Sequence, residues 1–112
     1  GPSWINFKAV SSEGFARYLD IVAGDVNVNS RIRFFTGPGS SQNPTEKMRI
    51  GPEGNVGIGT TGPNARLQIA GGDAAVTTQG NGLILRATDG ANCYRVTINN
   101  AGTLATAAVA CP

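Results

Sequence analysis

The sequence predicts an all-β protein of short strands and glycine-rich turns, and three observations carry the prediction. Sixteen glycines and six prolines among 112 residues leave little room for long helices. Apolar residues alternate with other residues over short runs, as in Met48/Ile50 and Val56/Ile58. Groups of turn-forming residues, Gly51-Pro52-Glu53-Gly54 and Asn99-Asn100-Ala101-Gly102, separate such runs.

Gly1-Pro2-Ser3 reads as the remnant of protease removal of a purification tag, which makes the chain an expected fragment of something longer. Residues 4–47 read as an N-terminal β region. WINFKAV, DVNVNS and RIRFFTG show the alternations Ile5/Phe7, Val26/Val28 and Ile32/Phe34. GFARYLDIV fits one face of a helix through Phe15, Tyr18, Leu19 and Val22, or a strand through Phe15, Leu19 and Ile21; its strand neighbours favour the second. GPGSSQNPTEK, residues 37–47, reads as an exposed loop.

Residues 48–72 read as a hairpin followed by a strand. Met48 and Ile50 fall on one face of the first strand, Val56 and Ile58 on one face of the second, and Leu67 and Ile69 point inward from a third. The cluster Gly57, Gly59 and Gly62 permits close backbone approach. Residues 73–112 then form a β-meander of GLILRATDG, CYRVTI and TLATAAVAC. Its expected apolar face comprises Leu83, Leu85, Tyr94, Val96, Ile98, Leu104 and Val109. That face is too little core for independence, so it must be covered or paired, most simply by symmetry mates.

Cys93 and Cys111 bracket the last hairpin. With Ile98 facing Leu104, Val96 facing Thr106 and Cys93 facing Val109, Cys111 lies just beyond, and a one-pair register change would set the thiols opposite each other. A disulfide there would contribute roughly 3 kcal/mol and imply an oxidising surrounding; two reduced, packed thiols are the alternative.

Charge and chemistry narrow the function. Charged residues make up 14% and the net charge is +2, which gives no basic stripe for nucleic acid. No apolar run approaches the roughly 20 residues of a membrane-spanning helix. Histidine is absent, which removes the commonest general base and most zinc sites. Asp25, Glu53, Asp73 and Asp89 lie beside or one residue from glycine, where turn geometry explains them better than catalysis. GIGTTGP lacks the Lys-Ser/Thr ending of a phosphate loop. No enzyme activity, cofactor or metal is expected. Phe34-Phe35 in a strand must place one ring on each face, so one meets solvent or a partner. Phe35 with neighbouring arginines, or Tyr94 with Arg95, has the aromatic and polar character of a sugar-binding site; packing in a core or subunit interface is the competing role.

EKMRIGPEGNVGIGTTGPNARLQI, residues 46–69, is similar to the MRI-(turn)-GNVGIGTT-(S/G)P-x-x-x-L-x-(V/I) segment of bacteriophage tail fibre and tailspike proteins and their prophage relatives. GLILRATDGANCYRVTINNAGTLATAAVACP, residues 82–112, resembles the closing module of such fibres. The resemblance implies a homotrimer, three chains intertwined or side by side in a narrow β fibre or prism, carried on the virion and extracellular after release. Met48, Ile50, Val56, Ile58, Leu67, Ile69, Leu83, Leu85, Val96 and Ile98 would then pack the core or the trimer. The implied partner is a bacterial cell-surface polysaccharide or lipopolysaccharide. A terminal trimerisation module of a tailspike depolymerase, with its catalytic domain upstream, and a bacterial surface adhesin module are the alternatives.

Overall fold

Residues 29–37 and 43–112 are described by the computed structural model, and they form seven short strands with no helix. The expected strands within residues 4–28, and the helix-or-strand choice at GFARYLDIV, lie outside the described residues. The chain divides into two units, with the boundary between Asp73 and Ala74.

The first unit carries a four-stranded sheet in chain order: β1 (Ile32–Thr36), β2 (Thr45–Ile50), β3 (Val56–Ile58) and β4 (Leu67–Ile69). The β2–β3 turn closes with the Gly54 N–H donating to the Gly51 carbonyl and the Gly51 N–H to the Asn55 carbonyl, both at 2.9 Å. Pro52 presets φ at the second turn position, and Gly54 adopts φ +83°, which a residue with a Cβ enters only under strain. Ile50 therefore lands opposite Val56, and Met48 opposite Ile58.

Strand β2 starts at Thr45, so Thr45–Lys47 belong to the sheet and not to the exposed loop expected over 37–47. Phe34 pairs with Met48 but Phe35 pairs with Glu46, which makes Lys47 the extra residue of a β-bulge. An inserted residue shifts the two-residue alternation by one step. Glu46 consequently joins the face of Phe35 instead of that of Met48, and this is why the pattern upstream of Met48 does not read as strand.

Strand β4 runs parallel to β3, with Val56 beside Leu67 and Ile58 beside Ile69. Its connection, residues 59–66, is shorter than the dozen or more residues usual between parallel strands. It fits because Gly57 is buried beneath it. A Cβ at Gly57 would stand 2.7 Å from the Thr60 carbonyl oxygen and 3.3 Å from Pro63 Cγ.

The pairings align two apolar rows across this sheet, Ile32-Ile50-Val56-Leu67 and Phe34-Met48-Ile58-Ile69. Met48, Ile50 and Val56 are half-buried, whereas Phe34, Ile58, Leu67 and Ile69 are exposed. No second layer among the described residues of this unit covers the rows. Incomplete burial of those four side chains forgoes on the order of 4 kcal/mol, against roughly 5–15 kcal/mol for the whole stability of a small domain.

The second unit is an antiparallel meander of β5 (Leu83–Arg86), β6 (Cys93–Ile98) and β7 (Leu104–Val109). Its turns repeat the device of the first: Gly90 donates to Ala87 at 2.9 Å and Gly102 to Asn99 at 3.0 Å. Asn99 Oδ1 also accepts from the Ala101 and Thr103 amides, each at 3.0 Å. In the resulting register Leu83 pairs with Val96 and Val96 with Thr106, Leu85 with Tyr94 and Tyr94 with Ala108, and Ile98 with Leu104.

One face is thus apolar, and it is largely uncovered: Leu104 is 73% exposed and Leu83 63%, with Leu85 and Ile98 also exposed and Val96 half-buried. Val109 pairs with Cys93 and so lies on the opposite face, a correction to the expected membership of the apolar side. Cys93, 3% exposed, is the one buried hydrophobic residue among the described ones.

Candidate functional site: the polar face of the first sheet

Behind the apolar rows of the first unit, the strand alternation gathers Arg33, Phe35, Glu46, Arg49 and Gln68 on one face. Glu46 is the centre of this set. Its carboxylate accepts from Arg49 Nε at 2.9 Å and from Arg49 Nη2 at 2.8 Å, and Arg33 Nε stands 3.8 Å away. The Glu46 and Arg49 side chains are only 9% and 11% exposed, so this fork is shielded from water and holds its geometry. Lys47, the bulged residue, hydrogen-bonds the Thr45 hydroxyl in the same strand.

Phe35 is 47% exposed, and the Arg33 guanidinium lies 5.1 Å from its ring centroid. An approaching ligand therefore meets an arginine–aromatic pair rather than a bare ring. The structure brings Phe35 and a neighbouring arginine together. Tyr94 and Arg95 are instead separated, because adjacent strand residues project to opposite sides. Tyr94 stands between Leu85 and Ala108 on the apolar face; Arg95 stands between Ile84 and Ala107 on the other. The pair cannot converge on one ligand, which corrects their reading as a joint site.

Next to the Glu46–Arg49 fork lies an open cleft of about 590 Å³. Asn29 and Arg31 approach it from before β1, Gly51 and Asn55 from the β2–β3 turn, and Pro63 and Asn64 from the connection to β4. These residues come from three separate stretches of chain, and only the sheet assembles them. Sequence reading missed the cleft for that reason. The one local hint is that Arg31 and Arg33 share the strand parity of Phe35.

On the second unit, Cys93 and Cys111 are joined by a disulfide with a Cα–Cα distance of 5.2 Å. It forms with Cys93 opposite Val109, so no register change is needed. Cys111 lies two residues past Val109, so the bridge runs diagonally from Cys93 beyond the last pair of the β6–β7 ladder.

Asp89 is committed to its turn. One carboxylate oxygen accepts from the Ala91 amide at 2.9 Å and the other from Asn92 Nδ2 at 3.3 Å. The Ala91 amide is the main reason its pKa is lowered. No grouping of His, Cys, Asp and Glu suited to a metal ion occurs among the described residues. No helix among them is long and apolar enough to cross a membrane.

Comparison of the chain with protein-family models, curated proteins and solved structures returns no match.

Proposed function

We propose that this chain is a non-enzymatic segment of a phage-type fibre, one that forms a homotrimer through its apolar sheet faces and recognises a bacterial surface polysaccharide or lipopolysaccharide. One observation carries the reading. Each unit presents an apolar sheet face that nothing among its own described residues covers, from Phe34, Ile58, Leu67 and Ile69 in the first to Leu83, Leu85, Ile98 and Leu104 in the second.

Such faces are liabilities in a solitary protein and assets in an assembly. The fibre-like motif over residues 46–69 supplies three of the four strands of the first, which supports a fibre over other assemblies. Three copies also multiply shallow, weak binding surfaces through avidity, which suits an open polar face better than a deep pocket.

Light scattering tests the assembly: the expected molar mass is about three times the 11.5 kDa of one chain. A folded monomer at high concentration overturns the reading. A glycan array on the same sample tests recognition, with binding to bacterial surface saccharides as the expected result.

A further inference from the structure

The cleft on the polar face has a composition that selects one kind of ligand. Extending the β1–β2 register one step past Ile32 and Ile50 puts Arg31 opposite Gly51, and the turn puts Asn55 on the other side of Gly51. Gly51 has no side chain of its own to fill the space, Glu53 Oε2 stands 3.4 Å from the place its Cβ would take, and Arg31 and Asn55 line the cleft with it. Arg49 closes one side. It spends Nε and Nη2 on Glu46, which leaves Nη1 without a hydrogen-bond partner among the described residues. The ion pairs among the described residues join Arg33 and Arg49 to Glu46, so Arg31 brings a positive charge with no carboxylate of the described residues within 4 Å.

Asn29, Asn55 and Asn64 add amide donors and acceptors suited to hydroxyl groups. Asn55 is partly held in place, since its Nδ2 donates to the Pro63 carbonyl at 3.3 Å. Pro52 and Pro63 supply the apolar surface. Glu53, also in the lining, sets a limit: its carboxylate repels a densely charged anion. The volume falls within the roughly 300–1,000 Å³ of small-ligand sites.

We infer that this cleft binds a saccharide bearing an acidic group, with the anion on Arg31 and the Arg49 Nη1 edge and the hydroxyls on the asparagines. The inference rests on the glycan-recognition reading and adds to it the ligand class and the place of binding. Carboxylate and phosphate both match the planar arginine donors, so a uronic acid unit and a sugar phosphate of a lipopolysaccharide core share the required chemistry.

The test is an NMR titration of the isotope-labelled 112-residue chain with three probes: trigalacturonic acid, its fully methyl-esterified form, and mannose 6-phosphate. Saturable shifts at Arg31, Asn55 and Asn64 are expected with at least one acid and not with the neutral ester, and which acid responds distinguishes the two sources. Arg31→Ala is expected to weaken binding at least tenfold, and Glu53→Gln to tighten it. Because both positions lie outside the strands, a preserved spectrum elsewhere verifies the fold of each variant.

Equal response to the ester, unchanged affinity in Arg31→Ala, or silence with both acids overturns the inference. If the chain nevertheless binds glycans on the array, glycan recognition stands and only its placement in this cleft fails. A chain that binds no glycan in either experiment loses both.

Discussion

Glu46 and Arg49, three residues apart on one strand, point to the same side of the sheet and form a two-pronged ion pair. In a regular strand an odd separation puts side chains on opposite faces. The bulge at Lys47 reverses the parity between them. The pair is therefore a marker for the bulge.

Replacing Glu46 by Gln is expected to destabilise the first unit by about 1–3 kcal/mol, because it leaves a nearly buried guanidinium without its countercharge. Deleting Lys47 should cost less, since it leaves Glu46 opposite Phe35 and two places from Arg49, on the same polar face. Urea denaturation of each variant checks both, and a deletion costlier than the substitution would show that Lys47 does more than set the strand parity.

Two glycines in one motif should behave differently. Gly57→Ala places a methyl 2.7 Å from a backbone oxygen of the overlying connection, with an expected loss of about 1–3 kcal/mol. Gly62→Ala meets nothing within 4 Å and should change stability by less than about 0.5 kcal/mol. Thermal melts of the two proteins side by side decide the matter, and equal melting temperatures would refute the packing account.

Neighbouring residues on one strand should separate assembly from surface. Leu83 lies on the apolar face and Ile84 behind it. Leu83→Glu is expected to lower the molar mass measured by light scattering toward that of one chain, while Ile84→Glu leaves it unchanged. The reverse order would place the interface on the other face.

The disulfide contributes where hydrophobic burial is scarce. Reducing it, or replacing both Cys93 and Cys111 by Ser, is expected to lower the stability of the second unit by roughly 3 kcal/mol. Unfolding of Tyr94, followed by NMR with and without reductant, reads this unit separately from the first.

Acid should loosen the β5–β6 turn through Asp89. Its pKa is lowered on folding, so its stabilising contribution is complete above the ordinary value of 3.8 and disappears as the pH falls through the lower folded value. The Ala91 amide resonance is expected to move over that acidic range, and Asp89→Asn should abolish the movement. A titration midpoint above 3.8 would contradict the hydrogen-bonded geometry.

Much of the strand layout was readable because its causes are local. Alternation in Met48/Ile50, Val56/Ile58 and Leu67/Ile69, interrupted by turn residues, suffices to place three strands of the first sheet. The tetrad Asn99-Asn100-Ala101-Gly102 sets the β6–β7 register, in which Ile98 meets Leu104 and Val96 meets Thr106. The separation of Tyr94 from Arg95 also follows from the two-residue period alone.

Tertiary structure decided the remainder. The parallel placement of β4 beside β3 depends on a connection that folds over Gly57, and the ion pair of Glu46 depends on one unpaired residue that changes strand parity. The cleft draws Arg31, Asn55 and Asn64 from three stretches that meet only when the sheet forms. By itself the sequence determined which residues extend and which turn, because those preferences are settled within a few bonds. Which side chains share a face and which segments meet was decided by long-range pairing, where a single bulge or a single missing Cβ changes the outcome.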